Sequence, residues 1–368
     1  MRAWAHGRPP LLQTLLDHRH TPLGLLALAA VWGREPTPVL VAIVAVLLGA
    51  AVLAAVHHAE VVAHRVGEPF GSLVLAVAVT VIEVALIVTL MASGGKGTST
   101  LARDTVFAAV MICTNGILGL SLLTASVRHG IANFHPEGTG AALATVLTLA
   151  VLSLVVPTFT STPGPEFTGP QLAFAAITSL VLYLLFVATQ TRGHRDFFLP
   201  VDDDGEAQEE EHAAPPSTRA AWTSLGLLLA ALVAVVGLAK VESPALETGI
   251  RSAGLPASFS GVVIALLVLA PETLAAANAA RRGRTQIALN LALGSAMASI
   301  GLTIPAIALV TIWTGGPLHL GLGALHLALL AVTAVVAVLT VVPGRATRLQ
   351  GGVHLALLAA YVFLAANP

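Results

Sequence analysis

Long apolar runs separated by short polar stretches set the pattern of the chain. They fall at about 22–33, 36–56, 70–93, 102–126, 139–160 and 169–190, and resume at about 218–239, 256–280, 285–313, 317–342 and 349–366. A helix needs about 20 mostly apolar residues to cross a bilayer, whereas a barrel strand needs about 9–11. Only helices and closed barrels satisfy their own backbone groups in lipid. The run lengths therefore predict an all-α polytopic membrane protein with about eleven transmembrane helices. The first run is the shortest and is expected either to cross or to re-enter.

Between the sixth and seventh runs the pattern breaks. Asp202, Asp203, Asp204, Glu206, Glu209, Glu210 and Glu211 sit together, ahead of Pro215 and Pro216. This reads as a solvated spacer or a cation-attracting segment. It divides the chain into an N-terminal tail and first helix (1–35), a first five-helix repeat (36–191), a linker (192–217) and a second five-helix repeat (218–368). Five is odd, so the second set enters the membrane upside down relative to the first, the arithmetic of an inverted repeat common among secondary transporters.

Charge fixes the expected orientation. With the N-terminus inside, Arg2, Arg8, Arg19, Arg65, Arg128, Arg192, Arg195, Arg219, Arg281, Arg282, Arg284, Arg345 and Arg348 lie on the cytoplasmic side. Arg34, Lys96, Arg103, Lys240 and Arg251 lie outside. Thirteen against five accounts for all 18 basic residues and favours N-in, because cytoplasmic loops carry the Lys and Arg excess. The C-terminus is then external and the acidic linker cytoplasmic.

Composition narrows the class. Of 368 residues, 56% are hydrophobic and 10% charged, against about 25% charged in soluble domains. That excludes an ordinary soluble enzyme, a nucleic-acid partner and a disordered chain. The lone cysteine, Cys113, allows no internal disulfide and no thiolate metal cluster. Arg2, Arg8 and Arg19 are spread over a long lead with no small-residue cleavage site after a compact apolar core, so the first run is expected to be retained.

Two acids stand apart from the rest. Glu83 lies in Val79-Thr80-Val81-Ile82-Glu83-Val84, and Glu272 in Leu269-Ala270-Pro271-Glu272-Thr273. Each falls inside the second helix of its five-helix set. A mid-bilayer acid costs on the order of 2.5–3.5 kcal/mol on insertion scales, so an intramembrane acid is a functional candidate. Desolvation raises a carboxyl pKa, so such a group holds a proton and surrenders it when a cation arrives. The alternative is that each bonds a neighbouring helix as a neutral acid.

The helix after each acid carries further polar groups. These are Thr114, Asn115 and Ser121 in one set and Asn290, Ser295, Ser299 and Thr303 in the other. Hard oxygen donors of this kind suit Ca²⁺, which takes 6–8 oxygens. The candidate cation and proton site is Glu83, Glu272, Thr80, Asn115, Asn290, Ser295 and Ser299, with Glu83 and Glu272 as the Ca²⁺ carboxylates. Each hydroxyl has an alternative use, bonding the carbonyl four residues back. Pro271 frees a carbonyl one turn earlier. His57, His58 and His64 surround Glu60 on what reads as a short amphipathic stretch between two runs, either a transition-metal site or an interfacial helix. His319, His326 and His354 read as packing or interface residues. No Walker loop, His-Glu-x-x-His, Gly-x-Ser-x-Gly or dinucleotide fingerprint is present, and no cofactor is expected.

Gly67-Glu68-Pro69-Phe70-Gly71-Ser72-Leu73 leading to Val81-Ile82-Glu83-Val84 resembles the first repeat of ChaA-type bacterial calcium/proton antiporters, within the calcium/cation antiporter superfamily. Gly261-Val262-Val263-Ile264-Ala265-Leu266-Leu267 through Pro271-Glu272, then Asn290-Leu291 and Gly294-Ser295, resembles the second. The resemblance runs over nearly the whole chain, including Gly352-Val353-His354-Leu355-Ala356-Leu357. It implies an eleven-helix inverted-repeat fold in the inner membrane, with inorganic cations and the lipid bilayer as partners. It also implies export of cytoplasmic Ca²⁺ for H⁺, with the repeat glutamates mapping onto Glu83 and Glu272. Where many relatives carry Gly-Asn-x-x-Glu, this chain has Val79-Thr80-Val81-Ile82-Glu83 and Leu269-Ala270-Pro271-Glu272, so Na⁺ or K⁺ stays open as an alternative cargo. An intramembrane enzyme using the paired acids is the alternative from another class, and Glu in place of Asp weighs against it.

Overall fold

The computed structural model describes residues 37–67, 70–92, 98–162, 164–200, 216–314 and 318–368. The expected first helix and the acidic cluster of the linker lie outside them. Among the described residues, ten helices are long and apolar enough to cross a membrane. They are α1 (Pro38–Val66), α2 (Phe70–Ala92), α3 (Leu101–His129), α4 (Pro136–Phe159), α5 (Gly169–Gly193), α6 (Thr218–Ser252), α7 (Phe259–Arg281), α8 (Thr285–Thr314), α9 (Ala324–Val341) and α10 (Arg348–Ala366). The chain is an all-α polytopic membrane protein, with five of these helices before the linker and five after.

Helix starts follow the local sequence. Thr168 and Gln171 form a capping box at α5, and Thr347 and Gln350 another at α10, each satisfying two orphan amides. Pro38 and Pro136 sit in the first turns of α1 and α4, where the missing N–H costs nothing.

The described helices form two compact units. One holds α1, α2 and α6. Its apolar seam is Val44, Leu48, Ala51, Ala55 and Ala59 on α1 and Leu228, Ala231, Val235 and Leu238 on α6, all buried and spaced three or four apart, as one helix face requires. Arg65 Nη2 donates to Thr218 Oγ1 at 2.8 Å, tying the end of α1 to the start of α6. A Cβ on Gly71 would lie 2.5 Å from the Ala63 carbonyl oxygen, so only glycine lets α2 leave α1 this closely.

Two boundaries differ from the apolar pattern. His57, His58, Glu60 and His64 do not form a separate stretch; they are the last turns of α1, and His58 is buried. Likewise α6 continues past the apolar run through Lys240, Glu242, Glu247 and Arg251 to Ser252, 35 residues in all. At 1.5 Å per residue that is about 52 Å, well beyond a hydrocarbon core of about 30 Å. The added turns end on an i,i+4 pair, Arg251 to Glu247 at 4.0 Å.

The other unit holds α3–α5 and α7–α10 around α3, the most enclosed of its helices. Gly261 on α7 meets the backbone of Asp104 and Thr105, where a Cβ would come within 2.7 Å. Gly119 on α3 and Gly351 on α10 bring those two helices together: added Cβ atoms would lie 2.8 Å from His354 Cβ and 2.6 Å from the Leu123 amide nitrogen. Small residues of this kind let membrane helices approach at backbone distance. At one end, β1 (Ala132–Asn133) pairs antiparallel with β2 (Arg345–Ala346), joining the turn after α3 to the turn after α9. Elsewhere in the unit, His319 Nε2 meets Glu166 Oε1 at 2.7 Å, and Arg103 pairs with the buried Asp104 at 2.7 Å.

The helical path is interrupted inside α3. Residues Ile112–Ile117 form a π-helical turn between the α-helical halves Leu101–Met111 and Leu118–His129. Wide turns of this kind are rare and often mark functional positions.

Candidate ion-exchange site

Glu83 and Glu272 occupy matching places. α2 and α7 are each 23 residues long, and each glutamate lies thirteen residues after the first residue of its helix, Phe70 and Phe259. Glu83 is 4% exposed, packed along α2 between Ile82, Leu86 and Ile87, and Thr80 one turn earlier is buried on the same side. Glu272 is half-buried on α7. Pro271, within the helix, has no N–H to return to the Leu267 carbonyl. Thr273 takes the bland alternative for a helical hydroxyl, donating to the Leu269 carbonyl at 2.7 Å.

Asn115 sits in the π turn of α3, fully buried. Its Nδ2 donates to Thr333 Oγ1 on α9 at 3.0 Å, and its Oδ1 faces His354 Nδ1 on α10 at 3.1 Å. His354 Nε2 lies 3.2 Å from Thr340 Oγ1. The neighbouring Thr114 instead bonds the Val110 carbonyl within its own helix, at 2.6 Å. The four side chains Asn115, His354, Thr333 and Thr340 are all enclosed, and three helices meet through them.

Asn290 is used differently. It lies early in α8, where Nδ2 donates to the Phe198 carbonyl at 2.7 Å and Oδ1 accepts from Gln286 Nε2 at 2.8 Å. Gln286 also accepts from the His135 backbone amide at 2.7 Å. Together they pin the turn after α5 and the entry of α4 to the head of α8. Deeper in α8, Ser295 is half-buried and Ser299 buried. Ser299 lies fourteen residues after Thr285, as Asn115 lies fourteen after Leu101. By depth, Ser299 is the counterpart of Asn115.

The remaining histidines have defined neighbours. His326 lies 4.9 Å ring to ring from Phe107, which meets Tyr361 edge-on at 5.5 Å. His319 has a polar neighbour, with Nε2 2.7 Å from Glu166 Oε1. Among the described residues, no group of three or more His, Cys, Asp or Glu side chains converges as a metal centre. Sequence reasoning passed over Thr333, Thr340 and the bonding of His354. The available signal was a lone histidine closely preceded by Gly351 and Gly352 in an apolar helix, with threonines inside α9.

Residues 37–192 and 223–367 match the family described as sodium/calcium exchanger protein. Over 335 residues the chain is 45% identical to a protein of Sinorhizobium fredii named as an ionic transporter, covering 91% of this chain and 90% of the relative. It is 35% identical over 354 residues to the sodium-potassium/proton antiporter ChaA of Escherichia coli, covering 94% and 96%. The solved structure of native YfkE superposes with a TM-score of 0.72 at 17% identity, over 97% of this chain and all of that one.

Proposed function

The chain belongs to the sodium/calcium exchanger family, and from that premise we propose that it exports a cytoplasmic cation in exchange for H⁺, with Glu83 and Glu272 carrying the proton and the cation in turn. The relatives are transporters, which sets the intramembrane enzyme aside. The observation that carries the proposal is the matching place of the two acids in two 23-residue helices, one in each repeat.

Two carboxylates balance either one Ca²⁺ or two protons, so the charge of the pair is the same loaded with either. In the exchange, protons and cation neutralise the pair in turn. Oxygen donors from Thr80, Asn115, Ser295 and Ser299 extend the set toward the 6–8 that Ca²⁺ takes. Asn290 lies near the head of α8, where its amide holds the Phe198 carbonyl, and we assign it to anchoring the turn after α5. A second reading, Na⁺ or K⁺ as principal cargo, is favoured by the name of the Escherichia coli relative.

The test is cation uptake into proteoliposomes driven by a pH gradient. E83Q and E272Q remove the titratable oxygen while keeping size, and each is expected to abolish exchange. Wild-type rates in both variants would overturn the mechanism. Competition of Na⁺ and K⁺ against Ca²⁺ in the same vesicles decides the cargo.

The N-in orientation, with both termini on opposite faces of a bacterial inner membrane, rests on the Arg and Lys distribution. Cys113 is buried and is the one cysteine of the chain, so single cysteines introduced at Ala3 and Ala366 report sidedness directly. A membrane-impermeant maleimide added to intact cells is expected to label the second and not the first.

A further inference from the structure

The bonds around Asn115 run in one direction, and a sulfur atom sets it. Thr333 Oγ1 lies 3.8 Å from Met111 Sδ. A thioether can only accept, so the Thr333 hydroxyl is the donor there and its oxygen is left to accept from Asn115. That places Asn115 Nδ2 toward Thr333 at 3.0 Å and Oδ1 toward His354. An amide oxygen carries no proton, so the hydrogen in the 3.1 Å contact sits on His354 Nδ1. In the neutral ring Nε2 then accepts, and the donor is the Thr340 hydroxyl at 3.2 Å. The chain of donation is Thr340 to His354 to Asn115 to Thr333 to Met111.

The Asn115 carbonyl oxygen faces His354, and its Nδ2 faces Thr333 at 3.0 Å, with Thr114 Oγ1 at 3.4 Å and Met111 Sδ at 3.8 Å on its own helix. With the proton on Nδ1, rotation of the amide about its last bond sets Nδ2 against His354 Nδ1–H, donor against donor, at full burial, where an unmade bond costs about 1–3 kcal/mol; the ring proton would have to move to Nε2, and Thr333 to release Met111, before the flipped amide is satisfied. The carbonyl oxygen has two lone pairs; His354 occupies one and fixes the direction of the other. His354 itself is seated by Gly119, whose missing Cβ makes room for it.

We propose that His354 is a positioning residue for the exchange: through Nδ1–H it holds the Asn115 carbonyl oxygen in the orientation that ligates the transported cation, without touching the cation. Partners that orient a ligand in this way set metal affinity. The inference rests on the reading of Asn115 as a ligand, and goes beyond it in naming what aims that ligand.

The experiment measures initial rates of Ca²⁺ uptake against Ca²⁺ concentration in proteoliposomes for H354L, H354N, T340V, N115A and the double variant N115A/H354L. H354L is expected to raise the half-saturating Ca²⁺ concentration about 10-fold, the lower end for loss of a ligand-orienting partner, with the maximal rate little changed. H354N, whose amide N–H stands where Nδ1–H does, is expected to recover most of the affinity. T340V removes the hydroxyl that selects the Nδ1–H tautomer and is expected to shift affinity in the same direction, by less. N115A/H354L is expected to be no worse than N115A. A fall in maximal rate at constant half-saturation, no rescue by H354N, or multiplicative loss in the double variant would each overturn the proposal. If H354L does not fold, T340V and H354N carry the same comparison. Failure of the glutamate reading is separable: there E83Q and E272Q transport normally, whatever the His354 series gives.

Discussion

Asn115 and Asn290 share a sequence pattern and differ in their work. Each is followed four residues later by a glycine, Gly119 and Gly294. Gly119 is pressed against α10, whereas nothing lies within 4 Å of a Cβ on Gly294 among the described residues. Asn115 joins three helices in the middle of α3, while Asn290 holds a backbone carbonyl near the head of α8. Depth along the helix pairs Asn115 with Ser299 instead. Counting from a helix start and matching a short motif thus give different partners for the same asparagine. In this chain the second repeat keeps a hydroxyl where the first has an amide.

The contrast can be broken most sharply at the glycines. G351V forces side-chain carbon into the Leu123 backbone and should cost about 1–3 kcal/mol, the usual range for overpacking, lowering the melting temperature in detergent. G294A should leave melting unchanged. An equal effect of the two would erase the distinction between the closed and open sides of the pattern.

Next come the amides. N115A should raise the half-saturating cation concentration about 10-fold, as loss of an oriented ligand group does, and S299A should shift it in the same direction. N290A should instead lower thermal stability by about 1 kcal/mol, the net worth of a hydrogen bond, with half-saturation held at the wild-type value. If N290A shifts cation affinity and S299A does not, pairing by motif replaces pairing by depth.

The smallest effect belongs outside the bundle. Arg251 is exposed and its pair with Glu247 spans 4.0 Å, so R251A should change stability by no more than about 0.5 kcal/mol.

The membrane helices were legible in the sequence because desolvation demands long apolar runs, and ten of the eleven expected fall on described helices. Their ends were less legible where charge resumes before the helix stops. α1 runs on through Glu60 and His64, and α6 through Glu242 and Arg251, since helix hydrogen bonding continues wherever side chains can reach water or one another. Glu83 and Glu272 stood out because isolated acids in apolar runs are costly. The role of His354 was hidden for the opposite reason: its partner Asn115 lies 239 residues away in the chain, and a neutral ring in an apolar helix carries no signal of what it bonds. The π turn of α3 gave no sequence warning either, because it contains no proline and only one glycine, Gly116.

That wide turn has a consequence for how α3 meets its neighbours. It accommodates one residue more than an α turn, and each residue advances an α-helix by about 100°. The stretch before it, where Asp104 and Thr105 abut Gly261, and the stretch after it, where Gly119 abuts His354, are thus phased independently of each other. Deleting a single residue such as Thr114 would restore an unbroken spiral and swing the second stretch about a quarter turn, unseating α10 and breaking the bond from Arg128 to the Arg281 carbonyl at the end of α7. A lone extra residue lets the two lengths of one rod meet their neighbours at separate angles.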